Sequence, residues 1–131
     1  MLRTAKGTFK VQMKPVGEPD SLSGVSTGRM SLDKQFEGDW MATGKGEMLT
    51  ALTPEEGSAG YVAIERVTGT LHGRSGSLVL QHSGLMTKGA QQLTIRIVPG
   101  SGTEHLSGIQ GDFKLTIEQG KHFYELVYSL P

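Results

Sequence analysis

The sequence contains no cysteine, no long apolar run and no excess of either charge. The absence of cysteine excludes disulfides, thiolate zinc sites and cysteine nucleophiles. Thirteen Lys and Arg residues offset thirteen Asp and Glu residues, which argues against nucleic-acid or membrane-surface partners, since both bind basic patches. The stretch after Met1 is polar and alternating, without an apolar signal region. We therefore expect a soluble, cytoplasmic protein.

Glycine is the residue in excess, with 19 in a chain of 131. The glycines follow no fixed period, and the segments between them are not of low complexity, which excludes collagen-like and disordered chains. A chain of this length fits one domain with a core of its own, so residues 1–131 are predicted to form a single domain. No two histidines have the spacing of a metal site on a helix or a strand, and neither a metal nor a cofactor is expected.

Alternation of apolar and polar residues predicts eight β-strands and no amphipathic helix. The strands are expected at residues 4–14, 29–36, 40–48, 61–71, 75–86, 93–97, 109–118 and 121–130. Loops are expected at residues 16–24, 53–60 and 99–108, the last with one helical turn at Thr103, and tight turns at His72-Gly73 and Gln119-Gly120.

Short connections imply antiparallel neighbours, which form either a sandwich or a closed barrel without exposed edges. Glycines inside the strand patterns favour the barrel, because they weaken a flat strand but permit the sharp bends of barrel corners and bulges. These glycines are Gly28, Gly44, Gly46, Gly69, Gly84, Gly108 and Gly111. The predicted fold is therefore all-β, a closed antiparallel eight-stranded barrel, whose interior is filled by side chains or holds one small ligand.

A glutamate and a histidine interrupt the apolar row of the central hairpin. A two-residue turn at His72-Gly73 sets Glu65 opposite Leu80 and His82 opposite Ala63, whereas a four-residue turn sets Glu65 opposite His82. In both cases the two side chains share the leucine face, with Cβ atoms about 5 Å or a diagonal step of about 7–8 Å apart. Because an unpaired buried charge is costly, we expect them to satisfy each other. Such a pair is typical of a ligand cavity, and a purely structural latch is the alternative.

The other face of this hairpin is also apolar, at Val62, Ile64 and Val79. If that face were the core, Glu65 and His82 would lie in water. If it is the outer wall, it is expected to be covered, either by a homo-oligomer contact through these three residues or by a loop or terminus.

Two aromatic residues extend the set of candidates. Trp40 is predicted at a barrel rim and Tyr124 in the last hairpin, and ordinary core packing is the alternative for both. Ser83 points away from its neighbour His82 on a strand, which excludes a serine–histidine catalytic pair. The predicted ligand-binding residues are Glu65, His82, Trp40, Ala63, Leu80 and Tyr124.

Three segments carry a family resemblance: FEGDWMATGKGEML (36–49), YVAIERVTGTLHGRSGSLVLQHSG (61–84) and LSGIQGDFKLTIEQGKHFYEL (106–126). Together they resemble a bacterial family of small proteins of unknown function with an allene-oxide-cyclase-type barrel, related in architecture to dirigent and calycin barrels. The resemblance covers nearly the whole chain and implies a barrel, but it assigns no role to Glu65 or His82. Allene oxide cyclases bind a hydrophobic fatty-acid epoxide and act as trimers, and transferring that activity rests on analogy of fold alone.

Three functions follow from these observations. The barrel binds a small, mostly apolar ligand, with Glu65 and His82 fixing its polar end. Alternatively it is an isomerase or cyclase, with His82 as the acid–base group and Glu65 holding its tautomer. A third alternative is a structural protein that oligomerises and has a filled barrel. Because the sequence offers no second firm acid–base group, ligand binding ranks above catalysis.

Overall fold

The computed structural model describes all of residues 1–131, as nine β-strands and a single 3₁₀ turn. The strands are β1 (Arg3–Pro15), β2 (Asp20–Leu22), β3 (Val25–Gly38), β4 (Trp40–Leu52), β5 (Ala59–Leu71), β6 (Arg74–Thr87), β7 (Ala90–Ile97), β8 (Gln110–Glu118) and β9 (Lys121–Ser129). The 3₁₀ turn covers Glu104–Leu106, next to the predicted helical turn at Thr103. No helix has the length and apolar character needed to cross a membrane.

Eight of the strands close into an antiparallel barrel. Their order is β1-β9-β8-β7-β6-β5-β4-β3, and pairing of β1 with β3 completes the ring. The predicted closed eight-stranded antiparallel barrel is thereby confirmed. The ninth strand, β2, lies in the predicted loop 16–24 and pairs only with the start of β3. Its three residues are all exposed, so no apolar alternation marked it. Gly108, predicted inside a strand, lies instead in the loop before β8, with a φ of +81°.

A two-residue turn sets the register of the central hairpin. His72 and Gly73 have φ values of +46° and +80°, the left-handed conformations of a turn whose twist matches that of the flanking strands. This turn pairs Leu71 with Arg74, and the ladder continues regularly from there. The two-residue alternative of the sequence analysis is therefore the one that the protein adopts.

One end of the barrel is filled by an aromatic core. Rings pack with centroids 4.8 Å apart between Phe36 and Trp40, and 5.9 Å apart between Phe113 and Tyr124. Leu106 of the 3₁₀ turn is fully buried beneath them. Because these large side chains pack against one another in the interior, we call this end the closed end.

The opposite end of the barrel, which we call the open end, exposes apolar side chains of the inward rows. Met13, Leu93 and Ile117 continue the buried rows of β1, β7 and β8 but are 51%, 41% and 59% exposed. The barrel wall is also weakest near this end, because β7 and β8 pair at one position alone, Arg96 with Asp112. The interior of the barrel is therefore packed with side chains at the closed end and accessible to solvent at the open end.

Candidate functional site

A buried cluster of three ionisable side chains lies between the aromatic core and the open end. Lys34 Nζ donates to Glu65 Oε1 at 2.8 Å, and His82 Nε2 lies 2.7 Å from the same oxygen. The relative exposures of Lys34, Glu65 and His82 are 9%, 0% and 4%. These three residues, from β3, β5 and β6, form what we call the buried cluster.

Strand alternation puts the cluster inside the barrel. Glu65 pairs with Leu80, and His82 pairs with Ala63, so all four share the inner face of the β5–β6 hairpin. The interpretation that Glu65 and His82 lie in solvent is therefore wrong.

The outer face of the hairpin carries Val62, Ile64 and Val79, the apolar residues that the alternative interpretation assigned to the core. Val62 and Ile64 are 51% and 52% exposed. Val79 is half-buried, and its backbone hydrogen-bonds to the segment after β7, through Ser101 Oγ and the amide of Val98.

The cluster keeps Glu65 ionised. Burial by itself raises the pKa of its carboxyl group, but the hydrogen bond from His82 and the charge and hydrogen bond of Lys34 outweigh burial, so the pKa is lower than usual. A carboxylate only accepts hydrogen bonds, so the proton between Glu65 and His82 belongs to Nε2. In a neutral imidazole the other nitrogen, Nδ1, is then an acceptor.

Tyr61 supplies the partner for that nitrogen. Its hydroxyl lies 3.4 Å from His82 Nδ1. Burial, and to a smaller extent the negative charge of Glu65, raise the pKa of the phenol. The phenol therefore keeps its proton and is the donor available to Nδ1 of a neutral imidazole. Gly84 makes room for the ring, because a Cβ atom at that position would lie 2.5 Å from the Tyr61 side chain.

The sequence analysis missed Lys34 and Tyr61. Lys34 stands in the inward row between Leu32 and Phe36, so the alternation already indicated an inward lysine. Its Nζ lies 5.0 Å from the centre of the Phe9 ring, a contact between strands that no local pattern reveals. Tyr61 begins the inward row of Glu65, and only the folded hairpin shows that it reaches His82.

One buried atom of the cluster has no partner. Glu65 Oε2 is inaccessible to solvent and accepts no hydrogen bond from the protein. It faces Gly44, where a Cβ atom would lie 2.8 Å away. A buried acceptor without a donor costs free energy, so the cluster has the capacity to accept one further hydrogen bond.

An apolar cavity of about 290 Å³ lies at the open end, on the side of the barrel formed by β4 to β7. Its wall includes Met48, Tyr61, Gly84, Met86 and Leu93. Tyr61 therefore belongs both to the cavity wall and to the hydrogen-bonded chain that continues through His82 to Glu65 and Lys34.

Trp40 and Tyr124, two of the predicted ligand-binding residues, lie in the closed end. The Tyr124 hydroxyl accepts from Trp40 N at 2.9 Å and donates to Glu37 O at 2.9 Å, which ties β9 to the β3–β4 turn. Trp40 precedes Gly44 by four residues, about 13 Å along β4. The structure brings Ala63 and Leu80 to the cluster as neighbours of His82 and Glu65, but it does not bring Trp40 or Tyr124 there. No group of three or more His, Cys, Asp or Glu side chains is arranged to hold a metal ion.

Comparison with known proteins found matches to a family model and to a solved structure. Residues 5–128 match a family model described as "Protein of unknown function (DUF3224)". The fold is similar to the crystal structure, at 1.84 Å resolution, of a protein with unknown function from the DUF3224 family of Shewanella oneidensis MR-1. The two chains are 45% identical with a TM-score of 0.96, over 100% of this chain and 98% of that one. No curated protein matches the sequence.

Proposed function

We propose that this chain, which belongs to the DUF3224 family of proteins of unknown function, binds a small, mostly apolar ligand in the open half of its barrel. The observation that carries the proposal is the apolar cavity whose wall includes Tyr61, a residue hydrogen-bonded to the buried cluster. The likeness to allene-oxide-cyclase-type barrels stays a resemblance in architecture and contributes no activity to the proposal.

The size and lining of the cavity support a small apolar ligand. Ligand pockets usually enclose about 300–1,000 Å³ and are lined mainly by apolar side chains with a few polar groups. At about 290 Å³, this cavity is just below that range, which favours a small ligand. Leu93, an exposed inward side chain, lines this cavity, and a bound molecule would remove part of its apolar surface from water.

The buried cluster supports a functional role, since it is a poor way to stabilise a barrel. Replacing a buried ion pair by apolar side chains is often neutral or stabilising, because both charges lose their hydration. Here Glu65 Oε2 adds to that cost, since it is buried and no protein group donates a hydrogen bond to it. Polar groups of this kind inside an otherwise apolar interior are typical of functional sites.

Acid–base catalysis is the second candidate, and one observation favours it. Glu65 holds His82 through Nε2, so that Nδ1 faces Tyr61 and, beyond it, the cavity. An imidazole oriented in this way by a carboxylate is the arrangement of a general base. Binding ranks first because the cavity itself presents no second acid–base group besides the Tyr61 phenol.

Fluorescence titration with N-phenyl-1-naphthylamine, a neutral apolar probe, tests the proposed function. We expect saturable binding to the wild-type protein and at least tenfold weaker binding to Leu93→Glu, since this change introduces a charge into the cavity wall. Met41→Glu is the matched control, because Met41 is 55% exposed on the outer face of β4 and should leave the affinity unchanged. Absence of saturable binding to the wild type, or equal loss in both variants, would contradict the proposal.

A further inference from the structure

Tyr61 joins the cavity at the open end to the buried cluster. Its ring lies in the wall of the cavity of about 290 Å³, beside Met48 and Leu93. Its hydroxyl lies 3.4 Å from His82 Nδ1. Tyr61 is therefore the residue of the cavity wall that contacts the buried cluster, and Lys34, Glu65 and His82 are not themselves part of that wall.

The direction of the hydrogen bonds decides what this oxygen can offer. Glu65 Oε1 accepts from Lys34 Nζ and from His82 Nε2, and in a neutral imidazole this arrangement leaves Nδ1 as an acceptor. The hydroxyl of Tyr61 is the donor within reach of that nitrogen. A phenol has one proton, so once it donates to Nδ1 the oxygen offers only its lone pairs to the cavity.

We propose that the ligand is an uncharged, largely apolar molecule with a hydroxyl or similar hydrogen-bond donor at its polar end, which donates to Tyr61 Oη. The proposal rests on the proposed function and names the chemical class of its ligand. A carbonyl compound has no proton to donate, and it would have to compete with His82 for that of Tyr61. If it succeeded, the buried Nδ1 would lose its hydrogen bond.

The charges of the cluster also disfavour an anionic ligand. The ammonium group of Lys34 is paired with Glu65 at 2.8 Å and is nearly fully buried. No free cation is therefore left in the cluster to hold a carboxylate, and an anion in the cavity would lose hydration without gaining an ion pair.

Displacement of N-phenyl-1-naphthylamine by ten-carbon probes tests the proposal. The probes are 1-decanol, 2-decanone and decanoate, at pH 8, where an imidazole is ordinarily neutral. The readout is the ratio of the midpoint concentrations of ketone and alcohol, compared between wild type and Tyr61→Phe, because this comparison cancels the difference in hydrophobicity between the two probes. We expect the preference for the alcohol to fall about threefold to tenfold in Tyr61→Phe, the range that one hydrogen bond supplies.

Tyr128→Phe is the matched control. This tyrosine also has its hydroxyl against a histidine, His72 Nδ1 at 2.5 Å, but it lies fully buried at the closed end. The variant should keep the wild-type ratio. An unchanged ratio in Tyr61→Phe, an equal change in Tyr128→Phe, or displacement by decanoate as effective as that by decanol would overturn the proposal.

A second measurement needs no variant. Decyl methyl ether keeps the chain and the oxygen of decanol but has no donor. In the wild type, the midpoint concentration of the ether should be at least about threefold that of decanol, even though the ether is the more hydrophobic probe. Equal displacement by ether and alcohol would overturn the proposal. Failure of the naphthylamine probe to bind at all would instead overturn the proposed function.

Discussion

Lys34 and Glu65 form an ion pair across a strand that separates them. Lys34 of β3 pairs with Gly44 of β4, and Gly46 of β4 pairs with Glu65 of β5. Two strand spacings amount to about 10 Å, which the long side chain of Lys34 bridges to reach Oε1 at 2.8 Å. The bridge is possible because Gly44 and Gly46 place no side chain between the two charged groups.

Removing the lysine should destabilise the barrel strongly. In Lys34→Met, Glu65 keeps only His82 as a partner, and loss of one member of a buried pair usually costs about 3–5 kcal/mol. We expect a loss of this order in the free energy of unfolding in urea. Lys34→Met combined with Glu65→Leu should recover most of it, because the charge that was left unpaired is gone.

The exposed ion pair between Arg29 and Glu47 provides the control for that measurement. Arg29→Ala should leave the free energy of unfolding near the wild-type value, since exposed pairs are screened by solvent. If Lys34→Met were as stable as Arg29→Ala, the buried cluster would have no energetic importance.

Acid should remove the stability that the Glu65 carboxylate contributes. The pKa of Glu65 is lower in the folded protein than its usual value, so the unfolded chain binds a proton more readily. The contribution is complete above the unfolded pKa of about 4.3 and is lost as the pH falls from there through the folded pKa. The urea midpoints of wild type and Glu65→Gln should therefore converge below about pH 4. A difference that stays constant from pH 7 to pH 3 would contradict this assignment.

A methyl group at Gly84 should disturb the cavity through Tyr61. The added Cβ atom would lie 2.5 Å from the ring of Tyr61, so the ring must move or the strands must separate. We expect Gly84→Ala to lower the free energy of unfolding by about 1–3 kcal/mol, the usual cost of overpacking, and to weaken naphthylamine binding. Gly28→Ala, where the nearest atom is Thr50 Oγ1 at 3.3 Å, is the milder control. Unchanged probe affinity in Gly84→Ala would mean that Tyr61 does not shape the cavity.

Self-association through the outer face of the β5–β6 hairpin stays a prediction. Val62 and Ile64 are exposed there beside Leu49, next to the oppositely charged Arg29 and Glu47. A twofold contact would bring this patch of one copy against the same patch of another and cover its apolar side chains, so we propose a second copy as the partner. Sedimentation velocity should show a mass above the 14.1 kDa of one chain.

The double variant Val62→Ser/Ile64→Ser should restore that single-chain mass. Phe123→Ser, on the outer face of β9, should not. A wild-type protein that sediments at 14.1 kDa at every concentration would contradict the prediction.

Most strands and the set of residues on each strand face were predictable because they depend on local chemistry. A side chain's face follows from the two-residue period of a strand, and His72-Gly73 admits the tight turn that pairs Ala63 with His82. The sequence did not reveal β2, because a three-residue exposed strand has no core-facing row. It also grouped Trp40 and Tyr124 with Glu65, although they lie in the closed end, because inward direction does not indicate depth along the barrel.

The amino-acid sequence by itself determined that Glu65 and His82 share one face of the central hairpin, and it left open whether that face is the core. Only the tertiary structure decided that Lys34 joins them and that Tyr61 separates them from the cavity. The Lys34 contact depends on how far β3, β4 and β5 are shifted along one another and on the close approach that Gly44 and Gly46 allow. Shifts of this kind are set by closure of the whole barrel, for which strand number and stagger must agree, and no segment of the chain carries that information alone.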